Sequence, residues 1–240
     1  MKKVNLLIVS FFIITSSLFS CSSEFEPIDP AVQFPDDNND EDNDNGISTG
    51  NYWPMAVNNQ WVFNENGVPQ EPMKIISTQL IDDNTYYKYN NFVGTSTNGA
   101  PFSGTVMSRK MNGVYYYRAE VIIPGTPTIT VSPLEIIVLK DFLEVDETWT
   151  QSLTQTTTVE GSAPITTSVQ IEGKILEREA SLTIGSVTYT DIIRVELVQT
   201  TQGIINKNYY WFAKDIGLVK YRNVLDGTNT ISELQSYTLN

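Results

Sequence analysis

The chain of 240 residues carries 28 acidic and 15 basic side chains, which gives a net charge of −13. This acidic balance, without any basic cluster, excludes nucleic-acid binding, which needs Lys and Arg side chains to neutralise phosphates. The chain has no histidine and a single cysteine, Cys21, so histidine acid–base catalysis, Ser-His-Asp triads, Cys-His pairs and the common zinc sites are excluded. No glycine-rich phosphate-binding motif is present, and the sequence predicts no cofactor.

The N-terminus has the pattern of a secretory signal. Two lysines precede an apolar run at residues 6–14, which is shorter than the about 20 apolar residues that span a bilayer. The next segment, residues 18–21 (LFSC), resembles the bacterial lipobox, with phenylalanine in place of the usual smaller residue. The resemblance implies removal of residues 1–20 as a signal peptide and attachment of two or three acyl chains to Cys21. The protein is therefore expected to be anchored in a membrane by lipid.

The residues after Cys21 bear on which membrane holds the anchor. Ser22, rather than an aspartate, follows the cysteine, which fits sorting to the outer membrane. The short acidic stretch at residues 22–26 resembles the surface-export signal of Bacteroidota lipoproteins, and it equally fits the start of an acidic linker. We therefore expect an outer-membrane protein, with exposure at the cell surface left open.

Residues 21–50 have the composition of a lipidated, acidic, disordered tether. Residues 22–50 contain nine of the acids and no base, and residues 35–46 contain no apolar side chain to bury. The acids at 40, 42 and 44 have the spacing of a calcium-binding EF-hand loop, but Asn45 replaces the required glycine and Asn51 the required glutamate. The sequence therefore predicts a plain tether and no metal site.

Residues 51–240 have the composition of one all-β domain, rich in Thr, Val, Ile and Tyr. Turn signals recur at residues 65–67, 82–84, 97–99, 112–113 and 226–227. Alternation and β-branched content predict strands at residues 105–110, 113–119, 174–178, 193–197 and 208–213. The best helical candidates are short turns at residues 55–58 and 134–140. We expect about ten mostly antiparallel strands.

Three segments of this domain resemble a large group of Bacteroidota lipoproteins. They are residues 51–63 (NYWPMAVNNQWVF), 185–198 (GSVTYTDIIRVELV) and 209–221 (YYWFAKDIGLVKY). Met55 and Asn58 stand where the family pattern has leucine and glycine. The resemblance implies a strongly curved antiparallel sheet, a half-open barrel similar to the Lol lipoprotein-carrier fold, and no known reaction.

One catalytic class survives the missing histidine and free cysteine. Glycoside hydrolysis needs only two carboxylates, about 5 Å or about 6.5–9.5 Å apart. The candidate acids are Glu120, Glu135, Asp141, Glu144, Asp146, Glu147, Glu172 and Asp191. The densest patch, residues 142–149, ends at Trp149, whose ring suits either a bound sugar or the protein core.

Two tyrosine clusters, at residues 86–89 and 115–117, favour a binding surface. Neighbouring residues of a strand face opposite sides, so each cluster places aromatic rings on both faces of the sheet. One face fills the core, and the other is available to line a ligand groove, for which Tyr87, Tyr116 and Trp149 are the candidates. Cross-strand packing explains the same rings without a ligand.

Three functions follow from these features. The leading hypothesis is a non-enzymatic envelope lipoprotein that binds an apolar ligand or a protein partner. The second is a carboxylate-only glycoside hydrolase or a glycan-binding surface protein, which needs two acids facing each other across a cleft. The third is a structural subunit of an envelope assembly, which predicts a closed, well-packed barrel core.

Overall fold

The computed structural model of the protein describes residues 46–93, 103–124 and 127–240. The predicted signal peptide at residues 1–20, the predicted lipidation site Cys21 and residues 22–45 of the predicted tether lie outside the described residues, as does the turn predicted at residues 97–99. The described residues therefore include the last few residues of the predicted tether and most of the all-β domain.

The described residues form thirteen strands and no helix. They are β1 (Gln60–Glu65), β2 (Val68–Pro69), β3 (Met73–Ile81), β4 (Asn84–Tyr89), β5 (Ser103–Met111), β6 (Val114–Ile123), β7 (Ile129–Lys140), β8 (Thr148–Val159), β9 (Ile165–Ile184), β10 (Val187–Thr201), β11 (Ile204–Ala213), β12 (Gly217–Leu225) and β13 (Thr228–Thr238). The all-β class is confirmed, and residues 134–140 lie in β7 rather than in a helical turn. In this part of the chain no helix is present that is long and apolar enough to cross a membrane.

The strands form one antiparallel sheet in chain order, which closes on itself. Except at the short β2, each strand pairs with the next one along the chain, and β1 completes the ring by pairing with β13 from Gln60↔Thr238 to Glu65↔Ser232. The two-residue β2 lies outside this ring, paired with β1. The expectation of a half-open barrel was therefore wrong: the first and last strands satisfy each other's backbone groups, so the sheet has no free outer edge.

Four of the five predicted turns lie among the described residues, and each of the four joins two neighbouring strands. The pairs β1–β2, β3–β4, β5–β6 and β12–β13 are joined at residues 66–67, 82–83, 112–113 and 226–227. At 112–113 both residues have positive φ, 50° for Asn112 and 81° for Gly113, which is the two-residue hairpin turn that Asn-Gly favours.

The barrel interior changes character along its axis. Near the start of β1 it is filled by large apolar side chains, of which Trp61, Phe212 and Leu218 are fully buried. Farther along the strands the interior becomes polar. Asn223 Nδ2 donates to Asn206 Oδ1 at 2.6 Å and to Asn208 Oδ1 at 2.8 Å, within the interior. The apolar end therefore supplies most of the burial free energy, and the polar end depends on shared hydrogen bonds.

A carboxylate lies beside this polar end. Glu65 of β1 is half-buried, and Ser232 Oγ of β13 donates a hydrogen bond to its carboxylate at 3.4 Å. Burial raises the pKa of the Glu65 carboxyl above its ordinary value, because the charged form loses water. The folded state therefore binds a proton at Glu65 more tightly than the unfolded chain does.

Candidate functional site

Residues 46–59, which we call the strap, cross one end of the barrel and lead directly into β1. The Trp53 ring of the strap is buried, and its centroid lies 6.2 Å from that of Tyr89, 5.8 Å from Phe92 and 5.7 Å from Phe212. The strap therefore plugs this end of the interior with an aromatic side chain.

A buried carboxylate holds the strap to the barrel. Asp141, at the end of β7, is fully buried and accepts hydrogen bonds from Ser48 Oγ at 2.7 Å and from Thr49 N at 3.0 Å. Tyr115 OH also donates to it at 3.2 Å, and Lys110 Nζ lies 3.6 Å away. These partners compensate the desolvated charge, so the end of the tether leaves the barrel at a defined place.

Beside the strap, β4 and β5 separate. Their ladder covers only Tyr87–Tyr89 against Val106–Ser108, whereas β4 continues to pair with β3 and β5 with β6 as far as the turns. Between the separated strands and the strap lies an open cleft of about 460 Å³. Its lining combines the apolar side chains of Met55, Tyr87 and Met111 with a larger set of polar and charged residues: Asn51, Asp83, Asn84, Thr85, Arg109 and Lys110. This split, which we call the β4–β5 split, is a concave surface at the strap end of the barrel.

The base of the β4–β5 split carries cations that already have partners. Arg109 Nε donates to Tyr86 OH at 3.0 Å across the split, and Arg109 Nη2 pairs with Glu135 Oε1 at 2.6 Å. The guanidinium carbon also lies 3.5 Å from the centroid of the Tyr116 ring. Burial lowers the pKa of Lys110, and the nearby Asp141 carboxylate opposes this shift. The two cations thus reinforce the walls of the cleft.

A second pair of neighbouring strands also separates, but side chains close the gap. The ladder between β7 and β8 covers only residues 129–131 and 157–159. Beyond it, Gln151 Oε1 accepts a hydrogen bond from Ile137 N at 2.7 Å, and Trp149 Nε1 donates one to Ile137 O at 3.3 Å. Ser132 Oγ accepts Thr156 N at 2.9 Å. In this β7–β8 split, side chains take the place of the missing strand ladder.

The three aromatic residues named from the sequence lie in different places. Tyr87 lines the β4–β5 split, Tyr116 is buried beneath Arg109, and Trp149 is buried in the β7–β8 split. Trp149 lies against Gly173, where an added Cβ would come within 2.1 Å of the ring. Only Tyr87 therefore lines the cleft, and its role in a ligand groove stays a prediction.

Three of the eight acids considered for glycoside hydrolysis make ion pairs or hydrogen bonds within the fold. Glu135 is paired with Arg109, Asp141 holds the strap, and Asp146 Oδ1 lies 2.8 Å from Lys174 Nζ. Within the described ranges, no group of three or more His, Cys, Asp or Glu side chains is placed to hold a metal ion. The expectation that the protein is not an enzyme stays a prediction.

Sequence reasoning missed most of the cleft. Met55 was noted only as a departure from a family pattern, and Lys110 and Met111 fell inside or beside a predicted strand. No local sequence signal marks them, because their proximity follows from how β4 and β5 diverge. The tyrosine cluster was the one usable indication.

Comparison with known proteins gives two structural neighbours. One is a candidate lipoprotein from Parabacteroides distasonis, with 13% identity, a TM-score of 0.47 and coverage of 78% of this chain and 98% of the other. The second is a candidate exported protein with a YmcC-like fold from Bacteroides fragilis, with 11% identity, the same TM-score and the same coverage. No protein-family model and no curated protein matches the chain. The expected likeness to the Lol carriers is not confirmed.

Proposed function

We propose that the protein is a non-enzymatic lipoprotein of the outer membrane, anchored through Cys21, that binds an apolar ligand or a protein partner in the β4–β5 split. The observation that carries the proposal is the open cleft itself, with Met55, Tyr87 and Met111 in its lining. Methionine and tyrosine offer apolar surface that adapts to a bound molecule. The absence of histidine from the whole chain supports a role without catalysis.

The anchor part of the proposal is tested by the Cys21→Ser variant. Without the acyl chains, the protein is expected to move from the membrane fraction to the soluble fraction of the envelope, because nothing else in the proposal holds it to the bilayer. The measurement is fractionation of cells together with labelling by a radioactive fatty acid. Continued membrane association of the unlabelled variant would remove the lipid anchor from the proposal.

The binding part is tested with two photo-crosslinking positions of similar exposure. A photoreactive side chain replaces either Met111 in the cleft, which is 42% exposed, or Ile204 at the β10–β11 turn, which is 49% exposed. We expect a discrete crosslinked product in whole cells from position 111 and none from position 204. Equal labelling at both positions, or none at either, contradicts binding in the cleft to a protein.

An apolar ligand is tested on the same protein by native mass spectrometry after gentle purification in detergent. A reproducible added mass that is lost in Tyr87→Ala, and kept in Tyr209→Ala on the outer face of β11, supports a ligand in the cleft. If the measured mass is that of the protein alone and position 111 gives no crosslink, binding in the cleft is contradicted.

The closed ring favours a second candidate, a structural subunit of an envelope assembly. Its supporting observation is the apolar end of the interior, where Trp61, Phe212 and Leu218 are fully buried. This candidate predicts copurification with neighbouring envelope proteins that persists when Tyr87 is replaced by alanine. Loss of that association on changing Tyr87 would favour the cleft instead.

A further inference from the structure

Arg109, at the base of the β4–β5 split, leaves one of its three guanidinium nitrogens without a hydrogen-bond partner. Its Nε donates to Tyr86 OH at 3.0 Å, and its Nη2 donates to Glu135 Oε1 at 2.6 Å. The third nitrogen, Nη1, is buried and has no partner among the described residues. A buried donor without an acceptor costs free energy, which an acceptor supplied by a bound molecule would recover.

The contacts of the other two nitrogens hold Nη1 in a fixed position. The guanidinium is bonded at Nε and at Nη2, and its central carbon lies 3.5 Å from the centroid of the Tyr116 ring. Arg109 lines the cleft, and 11% of its side chain is exposed. Because a guanidinium is planar and keeps its charge in proteins, the two N–H groups of Nη1 are always donors. A guest oxygen at the base of the cleft therefore meets a donor that is already oriented.

The charges around the cleft favour a neutral acceptor over an anion. Arg109 already pairs with Glu135, and Lys110 Nζ lies 3.6 Å from Asp141 Oδ2. Asp83, in the β3–β4 turn, adds a further negative charge to the lining. Three carboxylates therefore accompany two cations, and a guest carboxylate would be repelled by Glu135 across the shared guanidinium. A carbonyl oxygen accepts the same hydrogen bond without bringing a charge out of water.

We propose that the β4–β5 split binds a neutral amphiphile whose polar end carries an acyl carbonyl oxygen, as an ester or an amide, which accepts a hydrogen bond from Arg109 Nη1. The inference rests on the proposed function of the cleft and names its class of ligand. The apolar side chains of Met55, Tyr87 and Met111, set among polar residues, suit a guest with one apolar and one polar part. The volume of about 460 Å³ lies within the roughly 300–1,000 Å³ of small-molecule sites.

The test uses the mature chain, residues 21–240, with Cys21→Ser, so that no acyl chain of its own competes for the cleft. Three probes share one chain length and differ at the polar end. Monodecanoylglycerol carries an ester carbonyl, decylglycerol has an ether in its place, and decanoate is an anion. Affinities are measured by isothermal titration calorimetry near neutral pH, below the concentration at which each probe forms micelles.

Two arginine variants locate the hydrogen bond. Arg109→Lys keeps a positive charge beside Glu135 and removes the guanidinium. Arg194→Lys is the matched control, because Arg194 also pairs with a carboxylate, Glu177 at 2.7 Å, and also lies over an aromatic ring, 5.0 Å from the centroid of Trp211. Arg194 does not line the cleft. Circular dichroism establishes that each variant is folded at the temperature of the titration.

We expect the ester probe to bind about tenfold or more tightly than the ether and the anion, because only the ester brings a neutral carbonyl to the unpartnered donor. In Arg109→Lys the preference for the ester over the ether should fall to about twofold or less, and in Arg194→Lys it should persist. If Arg109→Lys does not fold, the three probes on the parent protein still decide the question.

Each other outcome rejects a defined part of the inference. Equal binding of the ester and the ether would overturn the carbonyl hydrogen bond and keep apolar binding in the cleft. Tightest binding of decanoate would overturn the neutral polar end, and an ester preference that survives Arg109→Lys would overturn the assignment to Arg109. If no probe binds and position 111 gives a protein crosslink, the amphiphile is rejected and the proposed function stands through its protein partner. If no probe binds and no crosslink forms, both are overturned.

Discussion

The strand ladder is interrupted at two places, and the two gaps differ in whether side chains fill them. In the β7–β8 split, Trp149, Gln151 and Ser132 reach across to backbone groups and close the gap. In the β4–β5 split, the strands diverge around a cleft of about 460 Å³, and the contact between them is made by Arg109 and Tyr86 at its base. A closed barrel can therefore interrupt its ladder either as a packed seam or as an open surface. The identity of the side chains beside the gap decides between them.

The largest expected effect comes from removing the indole that fills the β7–β8 split. Trp149→Ala removes a buried indole and its hydrogen bond to Ile137 O, which should lower the free energy of unfolding by about 3–5 kcal/mol. The measurement is denaturant unfolding followed by circular dichroism. Trp149→Phe is the matched control, because it keeps a ring and loses the indole donor, and it should cost much less. A loss below about 1 kcal/mol for the alanine variant would mean that the seam is not held by this side chain.

The second effect concerns the strap that forms one wall of the open split. Asp141→Asn exchanges one acceptor oxygen for a donor beside Ser48 and Thr49, which should cost about 1.5–3 kcal/mol of stability. We also expect faster proteolysis at the released strap. Limited digestion followed by mass spectrometry identifies the cut. An unchanged cleavage pattern would show that the strap is held by its Trp53 plug alone.

A matched pair of variants compares the two splits directly. Gln151→Leu leaves the Ile137 amide without its acceptor and should lower the free energy of unfolding by about 1–2 kcal/mol. Thr85→Val, in the lining of the open split, should change stability by less than about 0.5 kcal/mol. Thermal melts of both variants give the comparison. Equal costs at the two positions would erase the distinction between closed and open splits.

The smallest effect is a pH dependence from the polar end of the interior. Because burial raises the pKa of Glu65, the folded state holds the proton more tightly than the unfolded chain. Its contribution to stability is therefore present at low pH and is lost as pH rises through the raised pKa, above the ordinary value of 4.5. Glu65→Gln should remove this slope and gain stability relative to the parent protein toward neutral pH. Parallel pH profiles for the two proteins would contradict the assignment.

Local features of the fold were predictable from the sequence, and long-range ones were not. The Asn112-Gly113 turn and the alternation at residues 193–197 indicate a hairpin and a strand by local chemistry alone. Closure of the ring depends on β1 meeting β13 at opposite ends of the domain, and alternation within a strand does not specify which strand is its neighbour. The expectation of a half-open barrel came from the resemblance of three local segments to a family, and these segments do not specify whether β1 and β13 pair.

In the candidate site, too, local features were predictable from the sequence and long-range contacts were not. The tyrosine cluster drew attention to Tyr87, which lines the cleft, and its role in binding a ligand stays a prediction. The partner of Asp141 lies 93 residues away at Ser48, and Arg178 Nη1 also donates to the Asp141 carbonyl at 2.8 Å. Such pairings are set by the tertiary fold, so an acid that looks like a catalytic candidate in sequence is here a structural anchor for the strap.

The most direct test of the contrast between the splits is amide hydrogen exchange, measured by NMR on the mature chain with Cys21→Ser. The amides of Ile137 and Thr156, which donate to side chains in the β7–β8 split, should exchange slowly. The alternate amides at residues 84–86 and 109–111 that point into the β4–β5 split should exchange far faster than their neighbours paired to β3 and β6. Uniformly slow exchange along both segments would show that the β4–β5 split is closed, and it would contradict the account at its centre.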